Sequence, residues 1–390
     1  MEREVGPKYR GIVMPVYLES ENIITSLGFS VEENLKAMGE GISGIRMCNN
    51  PALSDQPFPV SLVDKNRLDT ALSGFSIPDD STFGKLVFLS VMEALKGSSV
   101  DPSDPRTVFI LSTTKGNIEL MRGKGSNAGN SRLLLWHSAE QIRRYYGNPN
   151  KAIVVSNACI SGLLAMIAGQ RLIKNGDYDH AVIVGADVVS KFIVSGFQSF
   201  LSLSTNPCKP FDRDRDGLTL GEGAGTVVLS NRRPDRKTVI ELVSGASAND
   251  ANHISGPSRT GEGLYIALKQ ALKGIVEDPG FISAHGTATP FNDDMESIAL
   301  TRAGLAHIPA NSLKGFIGHT LGAAGIIESL IGAGCLSGNM MLKNMGLQHQ
   351  GLVNALNTPI ENLKQPFLTF VKTASGFGGC NAAALFRKHE

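Results

Sequence analysis

A cysteine and two histidines occupy three points of this 390-residue chain where an apolar run gives way to a turn. Cys159 lies in Val154-Val155-Ser156-Asn157-Ala158-Cys159-Ile160-Ser161-Gly162, between a strand-like run and a helix-like one. A thiol at a helix N-terminus faces unpaired backbone N–H groups, which favour the nucleophilic thiolate. A strand-to-helix elbow also aims the side chain at a substrate. A cysteine taken at random is more often buried and inert; the elbow makes the two readings about even. His285 follows the strand-like Phe281–Ala284 in Ser283-Ala284-His285-Gly286-Thr287-Ala288-Thr289-Pro290. The C-terminal end of a strand is where α/β proteins gather ligands, although turn chemistry alone would also account for a histidine there. His319 opens the stretch Gly318-His319-Thr320-Leu321-Gly322-Ala323-Ala324-Gly325. A helix N-terminus disfavours its protonated form, and a neutral imidazole can donate one N–H to a carbonyl.

Other residues could support these three. Glu328 sits inside an apolar helix pattern, where an unpaired carboxylate is costly, and Lys314 is its candidate partner; a plain structural ion pair explains them equally well. In Ser375-Gly376-Phe377-Gly378-Gly379-Cys380-Asn381 the glycines allow a backbone N–H to face a ligand and one aromatic ring to swing. The stretch Asp212-Arg213-Asp214-Arg215-Asp216-Gly217 begins like a calcium loop. The position that requires glutamate is Gly223, however, so calcium is rejected. Internal salt bridges among Arg213, Arg215 and the aspartates are expected instead.

The elements that must position these groups read as strands alternating with helices, which indicates α/β layering. Expected strands run from Tyr9–Val16 to Ala382–Phe386. The clearest helix is Thr82–Lys96, capped by Asp80 or Ser81, with apolar residues at i, i+3, i+4 spacing; a short helix is expected at Ile360–Leu363. Cys159 and His319 each precede a small-residue apolar helix that returns to strand, as if one topology were used twice. The hydrophilic stretch Asn231–Lys237 would separate halves 1–236 and 237–390.

Bulk properties bound the function. With 37 Lys+Arg against 36 Asp+Glu the net charge is +1, so no global field draws the chain to nucleic acid or an anionic membrane. The cysteines Cys48, Cys159, Cys208, Cys335 and Cys380 are odd in number and contain no CxxC pair. Neither a disulfide framework nor a metal site is expected, and a reducing, cytoplasmic setting is. No leader-like segment or membrane span is read.

Taken in order, Asn157-Ala158-Cys159-Ile160-Ser161-Gly162, the Phe211-to-Gly225 stretch, His285-Gly-Thr-Ala-Thr-Pro, Lys314 with Gly318-His319-Thr-Leu-Gly-Ala-Ala-Gly, and Gly376-Phe377-Gly-Gly resemble the β-ketoacyl-[acyl-carrier-protein] synthases of the thiolase superfamily. The Cys-His-His set is similar to the elongating condensing enzymes. That resemblance implies a thiolase-like five-layer αβαβα fold, two similar halves each with a mixed sheet. It implies decarboxylative Claisen condensation of an acyl thioester on Cys159 with malonyl-acyl-carrier protein, in fatty acid or related polyene or polyketide synthesis. His285 and His319 would bind the malonyl thioester carbonyl, and Lys314 would support them with Glu328. The N–H groups of Cys159 and Phe377 would form an oxyanion hole, and the Phe377 ring would gate the acyl pocket. Thr287 and Thr289 would line the phosphopantetheine channel, with Ile160, Ser375, Gly378 and Gly379 also touching substrate. Asp212 and Arg215 would support the structure. Lys209, Arg213 and Arg215 are the candidates for docking an acidic carrier protein. No cofactor beyond the carrier's phosphopantetheine is implied, and the family is dimeric, so a homodimer or a heterodimer with a related subunit is expected. Two alternatives are a non-elongating, chain-length-factor-like partner and a thiolase or thioester hydrolase. Ser375 and Cys380 depart from the phenylalanine and threonine common at those positions.

Overall fold

The computed structural model describes residues 14–121, 129–250, 252–254 and 256–390. Ten strands form its central framework: β1 (Tyr17–Ile24), β2 (Thr107–Ser112), β3 (Ile153–Val155), β4 (His180–Asp187), β5 (Gly223–Ser230), β6 (Val239–Asn249), β7 (Phe281–Ser283), β8 (Ala310–Asn311), β9 (Thr369–Gly376) and β10 (Cys380–His389). Their order is β8-β7-β9-β10-β6-β1-β5-β4-β2-β3. A single pairing, Tyr17 with Glu241, joins β1 to β6 and divides the array into two five-stranded mixed sheets. The second sheet repeats the first. β2 pairs in parallel with β3 and β4, while β5 runs antiparallel to β4 and β1. In the same way β7 pairs in parallel with β8 and β9, while β10 runs antiparallel to β9 and β6.

Helices complete five layers, the thiolase-like αβαβα arrangement. Helix α1 (Thr82–Lys96) covers the outer face of the first sheet. Its N-cap is Ser81, whose hydroxyl accepts from Gly84 N at 2.9 Å. Helices α2 (Ser161–Lys174) and α5 (Ala324–Ser337) lie between the sheets, and α3 (Glu262–Ala271) with α4 (Pro290–Arg302) covers the outer face of the second. The central helices are buried on nearly every side, which is why their sequence is apolar all round instead of along one stripe. Leu163, Met166 and Ile167 of α2 share one core with Ile326, Ile327, Leu330 and Ile331 of α5.

The N-termini of α2 and α5 touch through glycine. A Cβ added at Gly162 would lie 2.8 Å from Gly322 O, and one at Gly325 would lie 2.3 Å from Leu163 N. Only glycine permits that approach, and it brings the residues just ahead of the two helices side by side.

Some expected elements differ. The first strand is Tyr17–Ile24 and not Tyr9–Val16; residues 14–16 are irregular, and residues 9–13 lie outside the described residues. No helix forms at Ile360–Leu363, where Pro359 and a bend lead into the two-residue strand Leu363–Lys364. The apolar spacing there serves a connection packed on the edge, not a helix face. Among the described residues, no helix is long and apolar enough to cross a membrane.

Candidate active site

Cys159 sits in the turn between β3 and α2 and is 8% exposed. The residue before it, Ala158, has φ of 45°, a left-handed conformation that is strained for a side-chain-bearing residue. Ser161 Oγ fastens this elbow by accepting from Asn157 N at 2.8 Å and donating to Ala158 O at 2.6 Å. His285 follows β7, and His319 precedes the 3₁₀ turn Leu321–Ala323 that leads into α5. Ligand atoms of Cys159, His285 and His319 lie within 4.8 Å of one another. The two imidazole rings meet edge to face, with centroids 5.1 Å apart. Three side chains far apart in sequence thus face one small volume.

The hydrogen bonds set which nitrogen of each ring faces that volume. The Lys314 ammonium donates to His285 Nδ1 at 3.3 Å, and Leu321 N–H donates to His319 Nδ1 at 3.3 Å. Each Nδ1 is therefore an acceptor, and each neutral ring carries its proton on Nε2. His319 Nε2 is buried without a protein partner, free for a ligand. Burial first, and then the Lys314 ammonium, hold both imidazoles well below the usual 6.5; His319 and Lys372 add to this for His285, as Lys372 does for His319. Both rings are uncharged at pH 7, as expected of His319 at a helix start.

Cys159 behaves otherwise than its place at a helix start suggests. Burial pushes its thiol up to about 12, and nearby Cys380 and Asp187 act in the same direction. The Lys314 and Lys115 ammoniums oppose this without overcoming it. The resting group is a thiol, a correction to the expected thiolate, because desolvation of the anion outweighs the helix dipole. Alkylation of Cys159 by iodoacetamide should accordingly keep rising about tenfold per pH unit from pH 7 through 10. A plateau near pH 8–9 would contradict the buried thiol.

Lys314 lies where expected. Its Nζ donates to Glu328 Oε1 at 2.7 Å and to His285 O at 2.6 Å, fully buried. Burial pushes the Glu328 carboxyl up, but Lys314 and Lys372 together hold it below its ordinary value. Lys372 was not anticipated. Its only sequence signal is a lone lysine in the apolar run Phe367–Thr373, and its Nζ lies 2.7 Å from Glu328 Oε2. Three carboxylates were also missed. Glu296 of α4 accepts from His285 N and Gly286 N at 2.8 and 2.6 Å. Asp293, one turn earlier, accepts from Thr287 N at 2.9 Å and from Phe211 N at 2.9 Å. Asp187 at the end of β4 accepts from Gly322 N at 2.7 Å and from Thr114 N at 2.9 Å, tying the His319 turn to the first sheet. An acidic i, i+3 pair at the start of a helix just after the histidine loop was the available signal for Asp293 and Glu296.

The three groups line a cavity of about 410 Å³. Thr287, Thr289, Ser375, Phe377, Gly378 and Gly379 share its wall. The Phe377 ring contacts Phe197 and Phe200 at centroid distances of 5.6 and 5.4 Å. Gly376 permits the glycine loop to close on the elbow: a Cβ there would lie 3.0 Å from Cys159 N. Gly378 N donates to Ile254 O, and Asn381 Nδ2 donates to Asp250 Oδ1, so the loop is braced from a second segment. Ser375 Oγ donates to Asn381 Oδ1 at 2.8 Å.

Other expected residues go elsewhere. Ile160 was expected to contact substrate, but it is buried in the central core and does not line the cavity. Cys380 is also absent from the cavity wall; its thiol turns toward Phe377 O and Asn157 O at 3.4 and 3.8 Å. Arg215 cannot dock a partner. Its side chain is 4% exposed, and it donates to Asp294 at 2.8 Å and lies 3.8 Å from Asp293. The Asp212 carboxylate supports the structure by accepting from Gln348 N and His349 N, while Arg215 donates to its backbone carbonyl at 2.8 Å. Lys209 is half-buried and Arg213 is exposed.

The family model "Beta-ketoacyl synthase, N-terminal domain" matches residues 61–234, and "Beta-ketoacyl synthase, C-terminal domain" matches residues 240–348. A relative named 3-oxoacyl-[acyl-carrier-protein] synthase 2 from Rhizobium meliloti is 34% identical over 64% of this chain; the match spans 63% of that relative's length. A relative from Schizosaccharomyces pombe, named as a putative mitochondrial 3-oxoacyl-[acyl-carrier-protein] synthase, is 29% identical over 94% of this chain and 97% of its own. Among solved structures, the ketosynthase ApeO in complex with its chain length factor ApeC from Xenorhabdus doucetiae superposes with a TM-score of 0.84. It is 25% identical and covers 96% of this chain and 98% of its own.

Proposed function

Because this chain belongs to the β-ketoacyl synthase family, we propose that it carries out decarboxylative Claisen condensation. It joins an acyl group held on Cys159 to a malonyl thioester on an acyl carrier protein and gives a 3-oxoacyl-carrier protein. The observation that carries this reading is the convergence of one thiol and two neutral imidazoles on a single cavity.

Each step follows from those groups. In acyl transfer, Cys159 Sγ attacks the incoming thioester carbonyl. The S–C bond to the carrier arm breaks, and the proton of the Cys159 thiol leaves with the carrier sulfur. In the second half-reaction the malonyl thioester binds with its carbonyl oxygen facing the Nε2–H groups of His285 and His319. The C–C bond to the carboxylate breaks, carbon dioxide departs, and the electron pair stays on the α-carbon as an enolate whose oxygen the two N–H donors stabilise. That carbon attacks the Cys159 thioester, the tetrahedral oxyanion faces the backbone N–H groups of Cys159 and Phe377, and Cys159 leaves as a thiolate that takes one proton from solvent to return to its resting thiol. Thiolate serves as both nucleophile and leaving group, which is why cysteine suits this role. Protein groups, the phosphopantetheine arm and one solvent proton per turnover supply what these steps need, so no further cofactor or metal is proposed. Thr287 and Thr289 would flank that arm.

His319→Ala should lower carbon dioxide release from malonyl-carrier protein by roughly 10²–10³-fold while Cys159 still accepts an acyl group. Loss of both steps together would assign His319 a structural role. Because both imidazoles are held below 6.5, decarboxylation should stay level from pH 8 to below pH 6.5. A fall centred at the ordinary histidine value would contradict two neutral donors.

The solved relative named above is a ketosynthase in complex with a chain length factor. By analogy we propose that this chain works in the cytoplasm as a dimer, with a second copy or a related subunit, and that Lys209 and Arg213 meet the acidic carrier. Sedimentation of the purified chain, alone and with its partner subunit, would test the assembly.

A further inference from the structure

Two buried lysines, not one, stand behind His285. Lys314 Nζ donates to His285 O. Lys372 Nζ donates to the two preceding carbonyls, Ser283 O at 3.1 Å and Ala284 O at 3.2 Å, and to its own neighbour Thr373 O at 2.7 Å. The last carbonyl of β7 and the two that follow it are therefore all received by ammonium groups. The two nitrogens share the Glu328 carboxylate, Lys314 on Oε1 and Lys372 on Oε2, each at 2.7 Å. Four acceptors stand within reach of Lys372 Nζ, to which an ammonium offers three protons and a neutral amine only two; burial pulls the lysine below its ordinary value while Glu328 supports its charge. All three side chains are buried.

We propose that Lys372 is a positioning residue for His285: it fixes the end of β7 from which the imidazole projects and places a second positive charge behind both histidines. This rests on the decarboxylative reading of the site. A positive charge there favours the developing enolate oxygen over a protonated imidazole. The charged and titratable groups facing His285 are Lys314, Lys372, Glu328, the neighbouring His319 and Cys159, and on the α4 side Glu296 and Asp293, whose oxygens are engaged by backbone N–H groups of the 285–288 loop. Removing Lys372 leaves Glu328 still paired with Lys314, so no carboxylate is stranded.

The test compares Lys372→Met with Lys372→Gln in the full chain. Histidine ring resonances followed by NMR across pH 4–8 report the ionisation of His285 and His319 whether or not the reaction runs. Both variants should move those midpoints up by about half a unit to one unit and move the acid limb of carbon dioxide release with them. Lys372→Gln, which can still donate to carbonyls, should keep a higher rate at pH 8 than Lys372→Met. Unmoved histidine midpoints in both variants would overturn the proposal and leave Lys372 a packing residue. If the native chain releases no carbon dioxide from malonyl-carrier protein, the reading of the reaction fails, while the histidine midpoints still decide the role of Lys372. Should Lys372→Met fail to fold, Lys372→Gln carries the same decision.

Discussion

Cys159→Ala should reduce condensation by ~10⁴-fold or more and abolish the acyl-enzyme adduct detected by intact mass. The expectation follows from the position of the sulfur. Among the described residues it is the only thiol on the wall of the cavity that also holds both imidazoles, and the strained Ala158 and the Ser161 hydroxyl fix the elbow that presents it. Cys380 cannot substitute, because its thiol turns into the glycine loop's backbone instead of the cavity. The variant should fold normally, since removing one sulfur at the cavity edge costs about 1 kcal/mol or less. Carbon dioxide release from malonyl-carrier protein should persist, because the histidines that stabilise the enolate are untouched. An acyl adduct of normal mass on the variant would reassign the nucleophile.

Gly325→Val should be strongly destabilising. Its Cβ would stand 2.3 Å from Leu163 N and 3.0 Å from Leu163 Cα. Those are backbone atoms of α2, which cannot rotate aside as a side-chain end could, so the two central helices must separate. Overpacking of this kind costs typically 1–3 kcal/mol, and a clash with backbone on a fully buried face belongs at or beyond the upper end. Separation of the helices also moves His319 away from Cys159, since each residue is carried just ahead of one of them. Chemical denaturation should show a loss on the order of 3 kcal/mol, with condensation reduced even where the variant remains folded. A variant with unchanged stability and activity would mean that the helix contact does not set the site.

Much of this architecture could be read from residue order, for a local reason. Cys159, His285 and His319 each stand at the junction of an apolar run and a turn, and such junctions are visible in a short window. The doubling of the fold showed only as two small-residue helices after two polar residues; the matching strand orders emerge from pairings between distant segments. Charge was the harder part. Lys372 is a single lysine in an apolar strand, and nothing beside it in sequence announces Glu328. Asp293 and Glu296 look like ordinary surface acids of a helix, yet their partners are backbone N–H groups of the loop before it. Arg215 resembled a docking residue because its neighbours are charged, whereas the fold buries it against α4. The Cys159 thiol shows the same limit, since a helix start favours the anion while burial, known only in three dimensions, favours the thiol.

The most direct test is to supply the protein with an acyl-carrier protein and malonyl-carrier protein carrying ¹³C at the malonyl α-carbon, and to weigh the carrier-bound product. A 3-oxoacyl chain two carbons longer than the donor, retaining the label and formed with one carbon dioxide per turnover, is the predicted result. Acyl transfer or thioester hydrolysis with no new carbon–carbon bond would contradict the account.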